Sequence, residues 1–199
     1  MINKWQKLRD FLTPEMFGRL ACINANTYFA YLEESDPAAK TPKIQLTGIP
    51  SNSILIKIDQ DATQPTFLAD KLHLRHRCDY VLLTHLKGKD TIIFFELKSK
   101  NYKNGEVTGK FKTSSCLLNF LARISDVFYE HKIAFTDEVS IEKRYVLIYT
   151  PDKPIKVLKK GETPRCKHCT PGCYYRYPAI HSRRCNNNLR IHYSEVVNI

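Results

Sequence analysis

The sequence has no apolar run approaching the ~18 residues that a membrane-spanning helix needs, so a membrane protein built on helices is not expected. Residues 1–10 are polar and carry Trp5 inside a charged stretch. They lack the apolar core of a secretory signal, which makes the cytoplasm the expected location. No internal repeat and no low-complexity segment is present. Acidic side chains are scarce beside basic ones: 20 Asp and Glu against 31 Lys and Arg leave a net charge of +11. A domain this basic usually meets a polyanion, with nucleic acid the first candidate. A solvated basic surface that aids solubility is the competing explanation.

What is present suffices for one ordinary domain. A chain of 199 residues, 43% of them hydrophobic, can bury a full core without disulfides or metal. The 7 cysteines fall into two groups. Cys22, Cys78 and Cys116 sit singly in apolar segments and read as buried free thiols. Cys166, Cys169, Cys173 and Cys185 are clustered, and Cys166-x-x-Cys169 has the knuckle spacing of tetrahedral thiolate coordination. A structural Zn²⁺ on these four, with His168 or His181 as alternates, is the expected reading in a reducing compartment. Free thiols in a loop are the alternative.

Residues 1–35 read as helical, with Thr13-Pro14-Glu15 as an N-cap, a first-turn proline and a first-turn acid. Phe17, Leu20, Ala21 and Asn24 follow at helical spacing, and a linker covers residues 36–43. Three strands are expected at 53–59, 78–84 and 91–98, the last two forming a hairpin through Lys87-Gly88-Lys89-Asp90. A basic loop follows at 99–109. Leu117, Leu118, Phe120, Leu121, Ile124, Val127 and Phe128 then recur at helical spacing. The unbroken apolar run at 144–150 suits a strand buried on both faces. A basic, Cys-rich insert at about 153–188 precedes a closing strand at 189–193. Helix, three strands, helix and strand make an α/β layer with a mixed sheet, in one domain spanning 1–199 with its core at 14–150.

Within that layer, Glu96 and Lys98 are two apart in a strand and so share a face, while Leu97 points into the opposite layer. The hairpin can bring Asp79 across from them. Glu96 closes the apolar run Ile92-Ile93-Phe94-Phe95, where an unpaired carboxylate is costly to bury. Two carboxylates on one face suit Mg²⁺, a hard cation that takes oxygen ligands, and a nearby ammonium can stabilise phosphorane charge. Carboxylates on a solvated sheet face are the competing explanation. Basic side chains that could contact nucleic acid are Lys100, Lys103, Lys110 and Lys112 after the hairpin and Arg183 and Arg184 in the insert.

Asp79, a hairpin, Glu96-Leu97-Lys98, an amphipathic helix and the strand Tyr145–Tyr149 together resemble the PD-(D/E)xK nuclease superfamily. The resemblance covers roughly residues 14–150. It implies a restriction-endonuclease-like αβββαβ core and Mg²⁺- or Mn²⁺-dependent cleavage of phosphodiester bonds in DNA or, less often, RNA. Asp79 and Glu96 would then be metal ligands and Lys98 the catalytic lysine. Here Cys78-Asp79 stands for Pro-Asp. The helix lacks the Gln often found near its start, leaving Lys110 or Ser114 as candidates for a phosphate contact. Many members also use a Glu from the first helix, which here would be Glu33 or Glu34. RecB-like nucleases of this group offer a further alternative for the cysteines, an iron–sulfur cluster on Cys22, Cys166, Cys169 and Cys173. The leading expectation is a nuclease in genome defence or repair, with DNA ahead of RNA as partner. A protein partner or homodimer is also open. The alternatives are a non-catalytic nucleic-acid-binding module and a zinc-stabilised protein-interaction domain.

Overall fold

A computed structural model of the chain describes residues 5, 8–34, 43–60, 74–86, 88–98, 102–128, 141–149, 170–171, 175–178, 183–185 and 188–194. The fold is mixed α/β, with two five-stranded mixed sheets and one long helix. No described helix is long and apolar enough to cross a membrane.

The first sheet runs β4 (Ile54–Lys57), β5 (Tyr80–Leu86), β6 (Lys89–Lys98), β7 (Ile141–Tyr149) and β8 (Tyr175–Pro178). β4, β5 and β6 are antiparallel neighbours, whereas β7 runs parallel to both β6 and β8. Helix α2 (Asn104–Phe128) makes the crossover from β6 towards β7. The expected strands at 53–59, 78–84, 91–98 and 144–150 thus all form. The β5–β6 hairpin closes Leu86 on Lys89 through two residues, one of them Gly88 at φ +79°, a backbone conformation that costs glycine little.

α2 starts at Asn104, inside the segment expected to be a loop at 99–109. Gly105 and Gly109 suggested a loop from sequence. Burial of Val107, Lys110, Phe111, Ser114, Leu118, Ala122 and Ser125, at steps of three and four with one adjacent pair, carries the helix through both glycines. These residues cover one face of the first sheet, with Phe94, Tyr145 and Phe111 in ring contact. Trp5, Leu8, Leu12 and Met16 extend the same core. Leu8 lies in the four-residue α1 (Leu8–Phe11).

The other face is covered by a second sheet that the sequence reading did not foresee. Its order is β1 (Leu20–Asn24), β2 (Thr27–Leu32), β3 (Ile44–Pro50), β10 (Asn188–His192) and β9 (Arg183–Cys185). Residues 20–32 are therefore a hairpin and not a helix. Asn24 Oδ1 accepts from the Asn26 amide and the Thr27 hydroxyl, closing a tight turn. The β-branched and aromatic side chains of Thr27-Tyr28-Phe29 and Tyr31 suit the pleated surface. Of the first 35 residues, the short helix Leu8–Phe11 and a 3₁₀ turn over Pro14–Met16 keep the helical reading. The closing strand forms, but it pairs with β3 in the second sheet and not with β7. Leu82, Ile93, Phe95, Leu97, Val146 and Ile148 on one side meet Leu32, Ile44, Leu46, Ile49 and Ile191 on the other. Tyr80 stitches the two layers: its hydroxyl donates to the Glu33 carbonyl and accepts from the Glu33 amide. The first sheet is thus sandwiched, which accounts for the burial of both faces of β6 and β7.

Of the three single thiols only Cys78 is buried; Cys22 and Cys116 are exposed. Cys22 lies in a strand whose outer half faces solvent, and Cys116 lies on the solvent side of α2. Cys166, Cys169, Cys173, His168 and His181 lie outside the described residues, and for Cys185 only the backbone of β9 is described.

Candidate active site

The β5–β6 register builds the site. Tyr80 pairs with Phe95, so the position before it, Asp79, stands opposite Glu96. Alternation then sets the faces. Tyr80, Phe95 and Leu97 point to the second sheet, whereas Val81 and Phe94 point towards α2. By the same period of two, Asp79, Glu96 and Lys98 face α2. The structure brings the three together at the end of the hairpin remote from its turn.

Their contacts are specific. Asp79 is almost fully buried, and its Oδ2 accepts the Leu97 amide hydrogen at 2.5 Å. Glu96 is wholly buried. Its Oε1 meets two ammonium groups, Lys98 Nζ at 3.2 Å and Lys110 Nζ at 2.8 Å. Both of its oxygens are buried without a regular hydrogen bond among the described residues, and Oε2 has no ion pair either. Lys98 also pairs with Glu106 in the first turn of α2 at 3.3 Å, and Lys110 lies 3.9 Å from Asp59. Each buried carboxylate thus commits one oxygen to a named protein donor.

A hydroxyl locks α2 to this end of the sheet. Ser114 Oγ donates to the Lys110 carbonyl at 2.7 Å and accepts the Cys78 amide hydrogen at 2.8 Å. Thr113 donates to the His76 carbonyl. The Ile58 amide donates to the Asp79 carbonyl at 3.1 Å, which brings the chain leading to Asp59 alongside.

Burial and the Glu96 charge push the Asp79 carboxyl well above the usual carboxylate range, against the Lys110 charge and the Leu97 amide. Burial also raises Glu96, although Lys110 and Lys98 pull it down. Lys110 is held above the ordinary lysine value: burial lowers it, but the charges of Glu96 and Asp79 outweigh burial. Burial raises the Cys78 thiol, so it packs as a neutral group.

The donor set fits a hard divalent cation in part. Two neighbouring buried carboxylates resist joint ionisation, and Glu96 Oε2 is an orphaned oxygen that a cation would satisfy. Mg²⁺ commonly takes only one or two carboxylates and completes its shell with water and phosphate oxygens. Among the described residues, no group of three or more His, Cys, Asp or Glu stands ready to hold a metal on its own.

Several expected residues stand elsewhere. Glu33 and Glu34 follow β2 of the second sheet and not a helix. Glu33 receives the Tyr80 hydroxyl on the face opposite Asp79, and its side chain pairs with Lys43. Lys110, expected to reach nucleic acid, is buried in ion pairs, because the second turn of α2 aims it at the sheet. Lys103 and Lys112 are exposed, Lys100 lies outside the described residues, and Arg183 and Arg184 are described only as backbone of β9. Tyr175 and Tyr177 pack against the inter-sheet core, while Arg176 between them donates to Asn104 Oδ1 at 3.1 Å, at the start of α2. Asp59 was missed, and the only sequence signal for it was an acid closing the run Ile54-Leu55-Ile56-Lys57-Ile58.

The chain matches no protein-family model, no curated protein and no solved structure.

Proposed function

We propose that the chain is a divalent-metal-dependent phosphodiesterase acting on nucleic acid, built on the PD-(D/E)xK plan. The observation that carries this reading is the meeting of Asp79, Glu96 and Lys98, from two strands, on one sheet face beneath α2. The order β4, β5, β6, α2, β7, with β7 parallel to β6, supports it, and so does the net charge of +11.

In this reading Asp79 and Glu96 would hold the cation, with Asp79 Oδ1 and Glu96 Oε2 the oxygens left over from their protein contacts. When bound, the ion acidifies a water and offsets charge on the scissile phosphate. Lys98 is the more exposed of the two lysines that touch Glu96, so it can turn its ammonium to a phosphate oxygen and stabilise the charge that develops there. The Leu97 amide fixes Asp79, so its carboxylate is oriented before substrate arrives. DNA is the first substrate to try, with RNA second.

One observation favours a second reading, a non-catalytic nucleic-acid-binding module. Lys98 and Lys110 already supply two positive charges to Glu96, which balances the pocket without an ion. The two readings separate in one assay: purified protein with Mg²⁺ or Mn²⁺ and single- or double-stranded DNA or RNA. The nuclease reading expects strand cleavage that EDTA stops and that Glu96→Ala and Lys98→Ala each abolish. Salt-sensitive binding with no cleavage under any metal refutes it.

A further inference from the structure

We propose that Lys110 is the positioning residue that divides the two oxygens of Glu96, holding Oε1 so that Oε2 is the one presented to the divalent ion. The inference rests on the nuclease reading of the site and adds a residue that the Asp79, Glu96, Lys98 triplet does not contain.

Four observations lead to it. Lys110 Nζ is nearer to Glu96 Oε1, at 2.8 Å, than Lys98 Nζ is, at 3.2 Å. Lys110 is also better anchored. Its side chain is only 10% exposed, and its carbonyl accepts the Ser114 hydroxyl that in turn takes the Cys78 amide, one residue from Asp79. Lys98 is shared with Glu106, a partly exposed group on the helix, so it is the lysine with freedom to leave. Finally, neither Glu96 oxygen makes a regular hydrogen bond among the described residues, but both ammonium groups form their ion pairs at Oε1 and neither does so at Oε2.

A buried carboxylate can turn about its last bond, a broad torsion with little intrinsic preference. A fixed ammonium on one oxygen removes that freedom and leaves the other oxygen in one place. Outer partners of this kind orient metal ligands, and losing one typically costs about 10- to 100-fold in metal affinity. Lys110 therefore acts on Glu96 and not on substrate. Its buried position explains how a lysine can stand near a metal site without competing for phosphate.

The test measures Mn²⁺ affinity calorimetrically on the full chain, with cleavage followed separately. Lys110→Met keeps the stem and removes the donor, and should weaken Mn²⁺ binding by at least about tenfold. Lys110→Gln keeps an N–H donor on a stem one bond shorter, and its loss should stay below about tenfold. Unchanged or tighter Mn²⁺ binding by Lys110→Met overturns the proposal, since Lys110 would then be only a competing cation. Equal losses in both variants overturn it too, because charge and not the oriented donor would be what matters. If Lys110→Met does not fold, Lys110→Gln decides alone, and a loss of tenfold or more sinks the idea. Cleavage by the unaltered protein with no such pattern leaves the nuclease reading standing and removes this one. A protein that binds no Mn²⁺ and cuts nothing removes both.

Discussion

Two serines on α2 offer a direct test of how the helix is held to the sheet. Ser114 and Ser125 are both fully buried on the same helix, but their hydroxyls differ in circumstance. Ser114 Oγ accepts the amide of the buried Cys78 and donates to the Lys110 carbonyl. Ser125 Oγ has no hydrogen-bond partner among the described residues. Ser114→Ala strands the Cys78 amide away from water, which costs about 1–3 kcal/mol. Better helix propensity of alanine returns roughly 0.5 kcal/mol, so the net loss should be about 0.5–2.5 kcal/mol. With a urea slope of about 2 kcal/mol/M, the midpoint should fall by about 0.3–1.2 M at unchanged slope. Ser125→Ala removes a buried hydroxyl that gains nothing, so its midpoint should stay or rise. Equal destabilisation by the two changes would refute the reasoning, because lost volume and not a lost hydrogen bond would then explain both.

Further outcomes follow from the same structure. Glu96→Ala and Lys98→Ala should each reduce metal-dependent cleavage by at least about a hundredfold, read on a labelled oligonucleotide, because the first removes a ligand of the cation and the second the ammonium that offsets charge on the phosphate. The raised Asp79 carboxyl makes Mn²⁺ binding weaken on acidification with a midpoint above the ordinary carboxylate range, as calorimetry over a pH series would show. The sign for folding is opposite: the folded state holds that proton more tightly than the unfolded state. Its stabilising contribution is therefore present at acid pH and is lost as pH rises through the raised value, and Asp79→Asn should flatten that slope in metal-free urea melts. Gly48→Ala should cost more stability than Gly88→Ala. Both glycines have positive φ, but a Cβ at 48 runs into the His192 ring, whereas the one at 88 meets open space. Thermal unfolding of the two variants checks the order.

How much of this was legible before folding depends on the range of the interaction involved. The β5–β6 hairpin and the shared face of Glu96 and Lys98 were legible because period-two alternation and a glycine turn are local. The double-sided burial of β7 was legible from the unbroken run Tyr145-Val146-Leu147-Ile148. The second sheet was not. Phe17, Leu20, Ala21 and Asn24 mimic helical spacing, and what makes 20–32 strands is pairing with β3 and, through it, β10, more than a hundred residues away. Glycines at 105 and 109 hid the first turns of α2, which tertiary packing of Val107 and Phe111 overrides. Lys110 looked like one more surface cation, since nothing local says that its helical turn faces two carboxylates. Asp59 reaches the site only because β4 lies beside β5.

The phenol of Tyr80 and the carboxyl of Asp79 are consecutive in the chain and look in opposite directions, one anchoring the second sheet and the other lying beside Glu96 beneath α2. Chemistry on one side of the hairpin is thereby tied to the integrity of its back. A version trimmed of residues 20–50 would bare Leu82, Ile93, Phe95, Leu97, Val146 and Ile148 together, an oily plane prone to self-association. The strands of the second sheet are thus a cover for the rear of the β5–β6 hairpin, and shortening the protein towards a minimal core would remove the support on which residue 79 depends.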